Sequence, residues 1–111
     1  MRESHTAVVE RNVTWTGAFE VEPYETAWAG EAIYFVRALD AVRLPEGVTA
    51  KIQISPDGIH WADEGTPLPI PNRDDEVTFA RVRHFGGWLR AVGELPEGAS
   101  VTVIVYLALK E

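Results

Sequence analysis

The chain has 111 residues, 46% of them apolar and 24% charged, and ten Lys or Arg against seventeen Asp or Glu give a net charge of −7. This length suits one domain with one core, the acidic balance argues against a nucleic-acid partner, and no apolar run reaches the ~20 residues of a membrane span. The absence of cysteine excludes disulfides, thiolate zinc sites and a cysteine nucleophile.

Short apolar or alternating segments follow one another along the chain, separated by turn residues. Residues 1–4 are expected to fray, and Asn12 marks a bulge in the first extended run or a break between two strands. The run 32–42 has some helix propensity, but successive aromatic and β-branched residues from Ile33 onward favour a strand. The expected strands are, in chain order, 6–16 in one piece or two, 18–22, 32–42, 48–55, 59–61, 77–83, 88–92 and 101–109.

Turn residues locate the connections between these strands. The segment 24–30 is expected to link two strands, with Ala27 and Trp28 turned inward as anchors. SPDG at 55–58 has proline and glycine at the positions that a type I hairpin turn favours. Residues 63–75 are rich in Pro, Gly, Asp and Asn and are predicted to form the longest loop, with 68–70 as an extended edge.

The segment WLRAVGELPEGASVTVIVYLAL at 88–109 is predicted to be a β-hairpin turned by LPEG. Its second strand is apolar on one face, and Ile104, Tyr106 and Ala108 make the other face apolar as well. A strand of this kind needs cover on both sides, which either a partner or a closed barrel would provide. We therefore expect an interface, and its predicted residues are Ile104, Tyr106, Ala108 and the neighbouring Arg90.

A second LPEG turn occurs at 44–47, and the segments 36–54 and 89–107 share an Arg-Ala pair, this turn and a following β-run. The similarity indicates either an internal repeat of two hairpins, one in each sheet, or a coincidence of turn chemistry. Eight or nine short strands without a convincing helix predict an all-β fold. We expect a jelly-roll-like antiparallel β-sandwich that comprises the whole chain, 1–111, as a single domain.

No group of residues has the spacing of a known catalytic or metal site. His5, His60 and His84 are scattered, and the acidic residues of 57–76 lack the alternating pattern of a calcium loop. Neither a nucleophile elbow nor a Gly-rich phosphate loop is present. We therefore expect no enzyme, no cofactor and no bound metal, although paired carboxylates for glycoside hydrolysis depend on distances that a sequence does not give.

Four tryptophans are a high count for this length. Two or three of them are expected in the core, because large rings cover much apolar surface in a small sandwich. An exposed one would stack on a sugar ring or anchor a protein interface. The candidates for a glycan-stacking platform are Trp61, Tyr24 and Trp28.

Two segments resemble small β-sandwich structural proteins of tailed bacteriophages. In those proteins a strand runs into Ser-x-Asp-Gly-x-x-Trp and a loop, which is matched here by Ser55, Asp57, Gly58 and Trp61. Near the C-terminus of those proteins an aromatic residue precedes Leu or Val, then Arg, then Ala or Val, followed by a turn with glycine and a final apolar strand. Here Leu89, Arg90, Ala91 and the run 100–107 match this part. LPEG stands where that pattern has Gly-Thr-Ser-Pro. The resemblance covers the C-terminal half and implies a non-enzymatic virion component that binds a capsid or tail surface and self-associates.

The expected function is thus that of a structural or decoration protein, assembled with itself as a dimer or trimer and bound to a capsid or tail protein. We expect it in the virion or in the host cytoplasm, since its first residues lack the apolar core of a signal peptide. The alternative is a carbohydrate-binding module that uses exposed aromatic residues. Eight Arg against two Lys, seven prolines and no cysteine would also suit a thermostable protein.

Overall fold

The computed structural model describes residues 3–111, and the regular structure of this part of the chain is entirely β-strand. Nine strands form where apolar residues alternate with polar ones between turns. Their bounds are β1 Ser4–Thr16, β2 Ala18–Glu20, β3 Tyr24–Glu25, β4 Glu31–Val42, β5 Thr49–Ser55, β6 Ala62–Pro69, β7 Val77–Arg83, β8 Trp88–Glu94 and β9 Ser100–Lys110. No helix in this part is long and apolar enough to cross a membrane.

The strands form two antiparallel sheets that enclose one core. The four-stranded sheet has the order β1-β9-β4-β7, and the five-stranded sheet has the order β2-β8-β5-β6 with β3 also paired to β8. When β2 and β3 are counted as one interrupted strand, this is the connectivity of an eight-stranded jelly roll. The predicted all-β, jelly-roll-like β-sandwich of eight or nine strands is therefore confirmed.

Strand β9 is one of the two inner strands of the four-stranded sheet, and its two faces have different surroundings. Every second residue from Val101 to Leu109 is at most 1% exposed and belongs to the core between the sheets. Leu107 lies opposite Ala7 of β1 on one side and Tyr34 of β4 on the other. The residues between these core positions are only half-buried. The strand is therefore covered by the sandwich core on one face, and no strand of residues 3–111 covers the other.

The predicted hairpin at 88–109 is wrong. Strand β8 belongs to the five-stranded sheet and β9 to the four-stranded sheet, so the LPEG turn at 95–98 carries the chain from one sheet to the other. Leu95 is buried in the core, and Gly98 has a φ of 82°, which favours glycine. The LPEG residues are compatible with a hairpin within one sheet and with a connection between two sheets. The connection between sheets forms because β9 pairs with β1 and β4 rather than with β8.

The first LPEG turn, at 44–47, makes the same kind of crossing from β4 to β5. Leu44 is buried, and Gly47 has a φ of 85°. Because β4 pairs with β9 and β5 pairs with β8, the two crossings lie side by side at one end of the sandwich. The expected arrangement with one copy in each sheet is wrong, since each copy contributes a strand to both sheets.

Strand β6 and its surroundings also differ from the prediction. The expected strand at 59–61 is part of the turn after β5, and the expected loop at 63–75 begins with β6, which pairs with β5. Because β6 is the outermost strand of its sheet, Pro67 and Pro69 do not have to supply hydrogen bonds to a second neighbour. Proline and glycine therefore indicated a loop where the chain forms an edge strand.

The connection at 24–30 is anchored differently from the prediction. Ala27 and Trp28 are exposed, and the buried residue is Thr26. The Thr26 N–H donates to the carbonyl of Gly87 at 2.6 Å, and its hydroxyl donates to the carbonyl of Gly86 at 3.3 Å. A buried hydroxyl with a backbone partner thus ties this connection to the start of β8.

The first strand is a single bulged strand, one of the two predicted forms. Its register with β9 shifts on both sides of Glu10, and Asn12 has a φ of 56°. The strand begins at Ser4, opposite Lys110, so the fraying expected for 1–4 does not extend to Ser4. Met1 and Arg2 lie outside the described residues.

Candidate interaction surface

The outer faces of the two sheets differ in character. The five-stranded sheet carries mostly polar and charged side chains on its outer side, whereas the middle of the four-stranded sheet is apolar there. We term the latter the apolar face, and its members are Val8, Ile33, Phe35, Val77, Phe79, Ile104, Tyr106 and Ala108. The exposed fractions of Val8, Val77 and Phe79 are 40%, 52% and 47%, which is unusual for a cluster of large apolar side chains.

A row of large side chains crosses the apolar face at right angles to the strands. The strand register aligns Val8 with Tyr106, Tyr106 with Phe35, and Phe35 with Phe79. The ring centroids of Phe35 and Phe79 are 6.2 Å apart, a favourable cross-strand aromatic contact. The guanidinium of Arg81 lies 5.0 Å from the centroid of the Phe79 ring. The row offers a broad apolar surface to any protein that packs on this sheet.

Three of the four predicted interface residues lie on the apolar face. Ile104, Tyr106 and Ala108 are half-buried on the outer side of β9. Arg90 lies on β8, in the other sheet and on the opposite side of the sandwich. The grouping of the four residues is wrong, because the hairpin from which it was inferred does not form. The interface role of the other three stays a prediction.

Sequence reasoning missed a large part of the apolar face. Ile33 and Phe35 of β4 and Val77 and Phe79 of β7 belong to it, and none of them was assigned to an interface. The alternation within β7 was visible in the sequence. Its odd-numbered residues are Val, Phe, Arg and Arg, and the two arginines indicate that this side of the strand faces outward. Which stripes join into one face depends on which strands pair, and no local pattern contains that information.

Arg90 is the centre of a polar cluster on the five-stranded sheet. Its Nε donates to Oε1 of Gln53 at 2.8 Å, and its Nη1 lies 3.2 Å from Oε2 of Glu20. The guanidinium carbon is 4.3 Å from the ring centroid of Trp61, so one face of that indole is covered. These contacts join Arg90 to three neighbouring strands or turns of its own sheet.

The residues predicted to form a glycan-stacking platform lie on three separate segments. Trp61 borders a shallow groove of about 420 Å³ in the turn between β5 and β6. Tyr24 on β3 packs partly against the core, and Trp28 in the following connection is 38% exposed. No ring contact joins any two of them within residues 3–111. The structure does not bring them together in one aromatic stack, and glycan binding stays a prediction.

The turn after β5 is organised by Asp57. Its Oδ1 accepts hydrogen bonds from the N–H groups of Ile59 and His60, both at 2.8 Å, and its Oδ2 lies 2.7 Å from Nδ1 of His60. The hydroxyl of the buried Ser55 donates to Asp57 at 3.0 Å and accepts the N–H of Gly58 at 2.8 Å. Hydrogen bonds from His60 above all, then from Ile59 and Ser55, hold the pKa of Asp57 well below its usual range. The Ser-x-Asp-Gly part of the motif therefore has a structural role.

The glycine of this motif is required by its position. Gly58 has a φ of 79°, and a Cβ there would lie 3.1 Å from the indole of Trp88. Trp88 is half-buried under this turn, as Trp61 is under Arg90. Of the four tryptophans only Trp15, at 2% exposed, belongs to the core, so the expectation of two or three core tryptophans is wrong.

We expect Asp57→Asn to lower the stability at neutral pH and to reduce its pH dependence in acid. Because the pKa of Asp57 is lowered by folding, its contribution is complete above the ordinary value of about 4 and is lost as the pH falls toward the depressed value. The free energy of unfolding, measured in urea at pH 7, 5, 4 and 3, should differ most between wild type and variant at pH 7. A difference that is constant over this range would contradict the role of Asp57. The matched control is Asp40→Asn, since Asp40 is exposed and its side chain makes no hydrogen bond within residues 3–111.

The acidic segment predicted as one loop is divided between two kinds of structure. Asp63 and Glu64 lie on β6, whereas Asp74 and Asp75 lie in the turn before β7. The Asp63 carboxylate has two neighbours on β5: Nζ of Lys51 lies 3.6 Å from its Oδ2, and Nε2 of Gln53 donates a hydrogen bond to its Oδ1. Within residues 3–111, no three or more His, Cys, Asp or Glu side chains are grouped as a metal site requires.

Comparisons with known proteins identify the fold. No protein-family model matches the sequence, and no curated protein matches it. The solved structure of the SPBc2 prophage-derived protein YomS is similar with a TM-score of 0.61 and 8% identity, over 100% of this chain and 96% of that one. A structure of infectious bursal disease virus, Gx strain, is similar with a TM-score of 0.51 and 10% identity, over 98% of this chain and 32% of that one. At these identities the likeness shows a shared β-sandwich fold, and it supports the phage-like resemblance at the level of fold.

Proposed function

We propose that the protein is a non-enzymatic structural component of a phage-type particle and that it assembles with copies of itself through the apolar face. The observation that carries this proposal is the row of Val8, Tyr106, Phe35 and Phe79 on a sheet whose other side already forms a complete core. Isolated exposed apolar residues are normal, but a contiguous patch of this kind is typical of a protein interface.

The outer side of the four-stranded sheet, with the apolar face in its middle, is large enough for an interface between two copies. Four strands about 4.8 Å apart and the eleven residues of β9 at about 3.4 Å each give this side of the sheet dimensions of roughly 15 × 37 Å, on the order of 550 Å². Two such sheets in contact would bury about 1,100 Å², just above the roughly 1,000 Å² that a biological interface requires. The aromatic row would form the desolvated centre, where most of the binding energy of an interface resides.

The assignment to a phage-type particle is supported by the structural neighbours and by the resemblance in sequence. A prophage-derived protein has the same fold over nearly the full length of both chains, and a virus structure contains a similar domain. The segments that resemble phage sandwich proteins correspond to the Asp57 turn and to β8 and β9, of which β9 is an inner strand of the sheet that carries the apolar face. Attachment to a capsid or tail protein, as in a decoration protein, belongs to this proposal.

Light scattering after size-exclusion chromatography tests the assembly directly. From about 1 to 500 μM, the protein should reach a defined mass of two or three times the chain mass of 12.3 kDa. A monomer throughout this range would overturn self-assembly. For the particle assignment, mass spectrometry of particles purified from producing cells should detect this chain, and its absence from them would overturn that part of the proposal.

A further inference from the structure

The shallow groove beside the Asp57 turn has the composition of a small-molecule site. Its volume of about 420 Å³ lies within the range of such sites. Apolar groups form most of its lining, and the residues that matter for a ligand are Ile54, Pro56, His60, Trp61, Ala62 and Gly86. A concave apolar surface with a few polar groups is the usual form of a ligand-binding site.

Trp61 is held in one orientation at this groove. Its half-buried indole lies under the guanidinium of Arg90, whose carbon is 4.3 Å from the ring centroid. Arg90 is fixed in turn by Gln53 at 2.8 Å and Glu20 at 3.2 Å. A side chain that is fixed before a ligand arrives loses little conformational entropy on binding. Trp61 therefore offers a rigid apolar surface at the groove.

His60 places a polar group next to this apolar surface. Its Nδ1 lies 2.7 Å from Oδ2 of Asp57, so the ring is oriented and Nε2 is the nitrogen left for a ligand. The His60 side chain is 81% exposed. Among the described residues that line the groove, only His60 has an ionisable side chain. An apolar wall, one oriented ring nitrogen and no lining carboxylate, ammonium or guanidinium together suit a neutral ligand.

Gly86 keeps the groove open. It lies in the connection from β7 to β8, and a Cβ there would be 3.6 Å from the carbonyl oxygen of Ser55, which is an ordinary van der Waals contact. Its φ lies outside the left-handed region. A larger residue at this position is therefore compatible with the backbone, and its side chain would take up part of the groove.

We propose that the groove binds one residue of a neutral glycan, with the apolar face of the sugar ring on Trp61 and a hydroxyl group hydrogen-bonded to Nε2 of His60. A pyranose ring has C–H groups on its face and hydroxyl groups around its rim, so it matches an apolar wall with a polar group beside it. An anionic ligand would meet no lysine or arginine in the lining. A hydrocarbon side chain of a protein would leave Nε2 of His60 unused.

The site does not compete with the apolar face. Trp61 and Arg90 lie on the outer side of the five-stranded sheet, and the apolar face lies on the outer side of the four-stranded sheet. Packing of the apolar face therefore leaves the groove open to a ligand. The inference goes beyond the proposed function, because it gives the two sides of the sandwich separate roles, one in assembly and one in glycan recognition.

Titration with monosaccharides tests the site. The probes are glucose, galactose, mannose and N-acetylglucosamine, and cyclohexanol serves as an apolar ring of similar size with a single hydroxyl. The indole N–H groups of the four tryptophans are reporters in ¹H–¹⁵N NMR spectra, and Trp61→Phe identifies the Trp61 signal by its loss. Because one sugar residue makes few contacts, we expect a millimolar dissociation constant and add each probe to about 100 mM. At least one sugar should shift the Trp61 signal saturably and bind more tightly than cyclohexanol.

Two variants test the groove in different ways. Trp61→Ala removes the apolar platform, and Gly86→Leu keeps the indole and fills part of the groove. Each should weaken binding about tenfold or more, as followed on the backbone N–H signal of His60. Trp28→Ala is the matched control and should bind within about twofold of the wild type, since Trp28 is an exposed tryptophan outside the groove. The spectra also show whether each variant is folded, and Gly86→Leu suffices if Trp61→Ala is not.

Three results would overturn the inference. The first is the absence of a saturable shift of the Trp61 signal with all four sugars. The second is an affinity for cyclohexanol equal to that for the best sugar, which would indicate an apolar occupant. The third is sugar binding that Gly86→Leu leaves unchanged, which would place the ligand elsewhere. None of these results depends on the oligomeric state, so this inference and the proposed function fail separately.

Discussion

Tyr106→Glu should convert the assembled protein into a folded monomer. Tyr106 lies in the middle of the apolar face, aligned with Val8 and Phe35, so a carboxylate there would have to lose its water against apolar side chains on assembly. In the single chain the same carboxylate faces solvent near Arg37, whose pKa is raised by Asp75 first and also by the Tyr106 hydroxyl. We therefore expect a loss of affinity of about 100-fold or more with little loss of fold, to be measured by sedimentation equilibrium and circular dichroism.

The matched control for this substitution is Tyr106→Phe. It keeps the ring and removes only the hydroxyl, so the variant should assemble with an affinity close to that of the wild type. If Tyr106→Glu folds and still assembles like the wild type, the apolar face is not the interface. If it unfolds, Phe79→Glu on the exposed edge strand β7 provides a second test of the same face, since Phe79 is 47% exposed.

Leu107→Ala, one residue further along, should destabilise the fold itself rather than the assembly. The Leu107 side chain is fully buried between the positions of Ala7 and Tyr34 on the neighbouring strands. Truncation removes buried apolar surface and leaves a cavity, so the free energy of unfolding should fall by about 2–5 kcal/mol. Urea unfolding measures this loss. The measurement is best made in the Tyr106→Glu background, because the stability of an assembled protein depends on its concentration.

A matched control exists for this position as well. Leu107→Met nearly conserves the side-chain volume and should cost less than about 1.5 kcal/mol. A loss below about 1 kcal/mol for Leu107→Ala would show that the inward face of β9 is not tightly packed. Together, the variants at 106 and 107 separate assembly from folding, since two adjacent residues point to opposite sides of one strand.

Strand periodicity was predictable where a strand has strong local signals. β4, β5, β7 and β9 alternate or run apolar over seven or more residues, and their predicted positions agree with the structure to within two residues. β6 was missed because Gly65, Pro67 and Pro69 carry the signals of a loop, and an edge strand tolerates them. The bulge near Asn12 was predictable from one residue that interrupts a β-branched run.

The candidate site was predictable only in part. Alternation along β9 placed Ile104, Tyr106 and Ala108 together, because residues two apart on a strand share a face whatever the strand pairs with. Arg90 was added through a hairpin that does not form, and Phe35 and Phe79 were left out because their strands lie far away in the chain. Phe35 and Phe79 join one row with Tyr106 because β9 pairs with β4 and β4 pairs with β7.

From the amino-acid order it follows that the chain is a small all-β sandwich, that its final strand is apolar on both faces, and that its surface is acidic overall. Composition and a two-residue period are local properties, so they persist in any arrangement of the strands. The folded structure adds which face of β9 is core and that both LPEG turns cross between sheets. These features depend on hydrogen bonds between strands far apart in sequence, such as β1 with β9, and the same turn and the same alternation are compatible with several such pairings.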